Sequence, residues 1–155
     1  MKNVNFILKN FKFILYVSAL FIFFIITYVS IPKFLNFSTE SIKEKLKKNN
    51  NIDIKSITRV DYKIFPTPRL SLPDSNFTIG KKIAEINNSE LEIILNISQI
   101  LNFKKINYKK LLINNGFSKI NLNNINQLLD NINKSKKKIT FKENDIIFYQ
   151  NNNFF

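Results

Sequence analysis

Cysteine and histidine are both absent from this 155-residue chain. Disulfides, Cys/His zinc sites, Cys–His nucleophile pairs and Ser-His-Asp triads are therefore excluded. A chain without cysteine is compatible with an oxidising compartment but does not require one. Two glycines are too few for a glycine-rich phosphate loop. The eleven acidic residues are scattered singly. Asp53 with Asp61, or Glu90 with Glu92, are the carboxylate pairs that acid–base chemistry would draw on. Glu90 and Glu92, however, alternate with Leu91 and Ile93 as on the wet face of a strand. No catalytic, cofactor-binding or metal-ligating residues are expected, and the chain reads as a non-enzyme.

Arginine is also scarce, occurring only as Arg59 and Arg69, although the net charge is +13. Arginine is the usual reader of phosphates and base edges. The basic excess is lysine, accompanied by Asn, Ile and Phe, the residues of A/T-rich codons. Compositional drift yields the same charge without a selected basic patch, so no nucleic-acid partner is expected. Attraction to anionic lipid headgroups is the better use for the charge.

What the chain does have is a long apolar run. Phe13–Pro32, "FILYVSALFIFFIITYVSIP", holds twenty residues without a charge. As a helix it spans ~30 Å, the thickness of a bilayer's hydrocarbon core. A buried core helix is the alternative, and so apolar a run is out of proportion to a protein this small. A cleaved signal peptide fits less well, because the run exceeds a signal h-region and Tyr28 stands where a small residue is wanted. Tyr16 and Tyr28 sit near its ends, as interfacial aromatics do. The expectation is an uncleaved anchor over 13–32 following a cytoplasmic tail of 1–12. Lysines flank both sides, so charge alone does not orient it.

Beyond the anchor, Ser38 can cap a helix carrying Phe37, Ile42 and Leu46 on one face, with Glu44 and Lys48 at i,i+4 on another. An amphipathic juxtamembrane helix is expected over 34–50, against the alternative of a solvated spacer. From Ile52 the period becomes two. Ile52, Ile54, Val60, Tyr62 and Ile64 alternate, with Ile57 out of phase; Leu70, Leu72, Phe77 and Ile79 follow. A turn is expected at Gly80–Lys82, then a strand with Leu91, Ile93, Leu95 and Ile97 on one face, and further strands near 106–113 and 117–122. Ile125, Leu128, Leu129 and Ile132 recur at helical spacing, which predicts a helical insert over about 123–134 covering an edge of the sheet. "KITFKENDIIFYQ" resembles a hairpin about Lys142–Asp145. The fold class expected is one transmembrane helix followed by a mainly-β, curved antiparallel sheet or groove of seven or eight strands, with minor α. The β-rich module occupies 52–155.

The most distinctive stretch is "YKIFPTPRLSLPD", Tyr62–Asp74, which packs three of the four prolines into eight residues. Proline lacks a backbone donor and is confined to strand edges, starts and bulges. Phe65, Pro66, Pro68 and Pro73 are therefore read as a structural corner that bends the first sheet at the mouth of a groove.

Phe65, Pro66, Pro68, Leu70, Leu72, Asp74 and Phe77 are followed by Leu91, Ile93, Leu95, Ile100 and Leu101. Ile106, Leu111, Ile113, Ile120 and Leu122 come next. This ordered set, opening with an anchor, resembles the N-terminal module of the AsmA family. The resemblance implies a bacterial inner-membrane protein, single-pass, with a cytoplasmic N-terminus and a β-rich periplasmic part. It also implies an apolar groove for phospholipid acyl chains, serving outer-membrane assembly or lipid homeostasis. Ile64, Leu70, Leu72, Leu91, Ile93 and Leu95 are the groove-lining candidates. AsmA-type proteins run far longer, and about eight strands extend a sheet by only ~40 Å. The expectation is therefore a truncated head of such a protein or a short member acting with other envelope proteins. The competing reading is a membrane-anchored scaffold whose sheet binds a protein partner.

Overall fold

The computed structural model describes residues 2–31, 37–80, 83–99, 106–150 and 153–154. The expected turn at Lys81–Lys82, the anchor's end at Pro32, the start of the second helix at 34, and Ile100 and Leu101 lie outside these residues. Helix α1 runs Lys2–Ser30, and its segment Phe11–Ser30 is apolar and long enough to cross a membrane. Side chains from Phe11 to Thr27 are exposed, so α1 is not a core helix.

The second helix, α2 (Thr39–Asn50), starts where its cap requires. Ser38 is extended and its hydroxyl accepts from the Ser41 N–H, while Glu40 lies in the first turn. Asn51 closes it in the left-handed region, its N–H donating to the carbonyls of Leu46 and Lys47. Ile42 and Leu46, one turn apart, are buried against the sheet.

Among the described residues nine strands form one open sheet. They are β1 (Ile52–Ser56), β2 (Asp61–Lys63), β3 (Arg69–Ile79), β4 (Ala84–Leu95), β5 (Tyr108–Asn114), β6 (Phe117–Asn121), β7 (Lys138–Lys142), β8 (Asp145–Gln150) and β9 (Asn153–Phe154). The mainly-β fold with minor helix is as expected, but the sheet is mixed: β5 and β7 run parallel, as do β6 and β8. A crossover containing α3 (Ile125–Asn133) makes this possible, because parallel neighbours need a long connection. The hairpin expected about Lys142–Asp145 is absent for the same reason. β7 and β8 do not pair with one another but extend in line against β5 and β6.

A seam crosses the sheet. Asp74, Asn88, Asn115 and Glu143 all have φ between 49° and 53°, and the register brings them to one level. Ser75 pairs with Ser89, and Asn87 and Glu90 pair with Phe117 and Asn114, which in turn pair with Asp145 and Lys142. Each left-handed residue slips its strand by one position, as a bulge does. Apolar residues thus reach the inner face on both sides of the seam despite opposite parity: Leu72 and Phe77, Ile86 and Leu91, Phe141 and Ile146. The seam is stitched by side chains. Ser75 and Ser89 each donate to the other's carbonyl at 3.0 and 3.3 Å. Asn144 donates to the carbonyls of Ile113 and Lys142 and accepts from the Gly116 N–H.

The core lies on one face. Leu70, Leu72, Phe77, Ile79, Ile86, Leu91, Ile93, Leu111 and Ile113 pack with Ile42 and Leu46 of α2 and Leu128 of α3. Asn50 is the polar hub between helices and sheet. Its amide donates to Ser135 Oγ and the Lys137 carbonyl, and its oxygen accepts from the Tyr108 hydroxyl. Burial pushes the Tyr108 phenol up to about 12.

Candidate membrane-facing site

At one end of the sheet, α1 meets the corner that the sequence marks with prolines. Tyr62, in β2, donates to the Val29 carbonyl at 2.7 Å, and burial pushes its phenol up to about 12. From the other side Tyr28 of α1 donates to the Ile97 carbonyl at 3.2 Å. Phe37 stacks on the Tyr62 ring. Two tyrosines reaching in opposite directions therefore fasten the last turn of α1 to the ends of β2 and β4.

The corner itself is a loop of 64–68 joining β2 to β3 as antiparallel neighbours. Phe65–Pro66 is a cis peptide bond. Pro68 is buried and its carbonyl accepts from the Leu95 N–H at 2.9 Å. Arg69 holds the loop from behind: its Nη1 donates to the carbonyls of Phe65 and Thr67, and its Nε to Glu92 at 2.7 Å. The loop turns the chain, while the phase slip of the sheet belongs to the seam. Pro73 stands next to Asp74 in that seam, opposite the gap between β1 and β2, where its missing N–H deprives no ladder.

Glu90 and Glu92, expected on a solvated face, are instead engaged. Glu92 is nearly buried against Arg69. Glu90 accepts from Lys63 and Ser71, and these hydrogen bonds hold its carboxyl below the usual carboxylate range. The signal missed was positional: Arg69 pairs beside Ile94 and Ser71 beside Glu92, which sets the guanidinium diagonally over the carboxylate.

The groove candidates take a different place from the one expected. Leu70, Leu72 and Leu91 are 0% exposed, Ile93 1% and Leu95 5%. They are the centre of the core, in one cluster with Ile42 and Leu46, and wall no open groove. Ile64 is half-buried in the corner, Pro66 is exposed, and Phe65 is 83% exposed.

The open apolar space lies beside them. A cleft of about 540 Å3 is lined by Phe24, Ile25, Thr27, Tyr28, Val29, Ile31 and Ile97. It is almost devoid of polar surface, a character suited to hydrocarbon and unsuited to a charged ligand. Among the described residues no group of three acidic side chains gathers to hold a metal ion. Comparison with known proteins gives no match: no family model, no curated protein and no solved structure matches the chain.

Proposed function

We propose that this chain is a membrane-anchored, non-enzymatic module that receives phospholipid acyl chains where α1 meets the sheet. In the AsmA-like setting its α1 spans a bacterial inner membrane with the N-terminus in the cytoplasm, and the sheet stands in the periplasm. There it serves outer-membrane assembly or lipid homeostasis, alone or with other envelope proteins. The observation that carries this reading is the apolar cleft between α1 and Ile97. Its volume falls in the range of small-ligand sites, and it adjoins the one helix among the described residues long and apolar enough to cross a membrane. Supporting it, the inner face continues past the helices to Ile139, Phe141 and Phe148, which remain partly exposed.

The test is native mass spectrometry of the full chain released from detergent. One phospholipid is expected to stay bound, and to be lost from Ile97→Asp, a change at a part-exposed side chain that leaves the sheet folded. A folded chain that carries no lipid would overturn the reading. A stoichiometric protein in place of lipid would favour the scaffold instead.

A further inference from the structure

The sheet and α1 overlap in depth. The cleft sets Ile97 beside residues 24–31 at the end of α1, a stretch ~10 Å long on the helix axis, and within it the Tyr28 hydroxyl donates to the Ile97 carbonyl. Tyr62, whose phenol donates to the Val29 carbonyl, stands three residues before Phe65, which keeps the Phe65 backbone within ~11 Å of the Tyr62 backbone, at the end of the sheet where α1 docks. Outside α1, no large apolar side chain among the described residues is as exposed as Phe65, at 83%; Ile97 is 44% exposed. A Phe ring left in water forgoes the free energy of its burial. The backbone that carries this ring is moreover fixed, by Pro66 and Pro68, by the Arg69 guanidinium on the Phe65 and Thr67 carbonyls, and by the Leu95 N–H on the Pro68 carbonyl. A loop so fixed has little freedom left to lose on contact with a partner.

We propose that Phe65 and Ile97 insert into the headgroup–acyl boundary of the bilayer that holds α1. They form a second, monotopic contact that sets the tilt of the sheet over the membrane. The inference rests on α1 as a membrane span. Interfacial segments bury their apolar faces ~5–10 Å deep, and Ile97 lies against the last turns of the segment long and apolar enough to cross the membrane. Because α1 already tethers the sheet, even a weak contact is maintained by its effective concentration.

The chain has no tryptophan, so each introduced one reports alone. Phe65→Trp, Ile97→Trp, Phe21→Trp and Ile146→Trp are made in the full chain and reconstituted in phosphatidylcholine–phosphatidylglycerol vesicles. Phe21 lies within α1; Ile146 is part-exposed on β8, beyond the seam from the corner. Emission of Phe65→Trp and Ile97→Trp is expected to shift to the blue and to be quenched by lipids brominated near the carbonyl end of the acyl chain. Phe21→Trp should be quenched by deep-chain bromine, and Ile146→Trp by neither. Phe65→Trp and Ile97→Trp as unquenched as Ile146→Trp, with Phe21→Trp quenched, would overturn the insertion and leave the anchor standing. An unquenched Phe21→Trp would overturn both.

Discussion

Arg69 Nε stands 2.7 Å from Glu92 Oε1, and the two side chains are only 14% and 10% exposed. Breaking a buried pair by removing one partner is costly, because the other charge stays behind without compensation. Arg69→Met is therefore expected to lower stability by about 3 kcal/mol, the cost of an uncompensated buried charge. Adding Glu92→Gln should recover part of the loss. Urea melts of the full chain in mild detergent check both; a single variant as stable as the parent would show the pair to be dispensable.

Glu143 carries a side chain where the backbone favours none. Its φ is 53°, and its ion pair with Lys142 is exposed on both sides, so little is lost with it. Glu143→Gly relieves the left-handed penalty of ~1–2 kcal/mol and returns part as chain entropy. A net gain of about 0.5–1 kcal/mol is expected, read as a higher thermal midpoint. A lower midpoint would mean that the carboxylate has a structural role.

Gly116 predicts the opposite. A Cβ there would lie 2.6 Å from Ser89 Cβ and 2.7 Å from Asn144 Oδ1, inside the stitching of the seam. Gly116→Ala must push those groups apart, a cost of about 1–3 kcal/mol by analogy with overpacked cores. Denaturant melts would reveal it, and an unchanged midpoint would mean that the seam yields easily.

Alkaline pH should weaken the fold through two phenols. Tyr62 and Tyr108 are each raised from 10.0 to about 12 by burial. Below pH 10 both are neutral whether the chain is folded or not, and their full contribution is present. Between pH 10 and 12 the unfolded chain ionises first, so stability falls as pH rises. Tyr108→Phe should flatten that fall while lowering stability at neutral pH, where it forfeits the hydrogen bond to Asn50. Equal alkaline slopes in parent and variant would count against the assignment.

Much of this fold is legible in the chain, and the illegible parts have physical causes. Ser38, Ile42 and Leu46 announce α2, and period-two runs announce the strands, because capping and alternation are local. The seam leaves a trace that period-two counting passes over: inner-face residues five apart, Leu72 to Phe77, Ile86 to Leu91, Phe141 to Ile146. Asn88 and Asn115 tolerate the left-handed region, but Asn does so without requiring it, and Glu143 gives no signal at all. Parallel pairing depends on where the crossover lands. The burial of Leu70 and Leu91 in one core with Ile42 and Leu46 depends on how α2 docks, which alternation along a strand does not encode.

The seam also makes the sheet sensitive to the number of residues more than to their kind. Deleting one residue at Asn88 would leave Leu91, Ile93 and Leu95 in place yet turn Ala84 and Ile86 from core to water. Exchanging Asn88 for another tolerant residue would leave both halves aligned. Four adjoining strand lines share this slip, so a shortened one would fall out of step with its neighbours on one side of the seam only. Frame within each strand is thus a property of the whole row, and single-residue deletions there should be far less tolerated than substitutions.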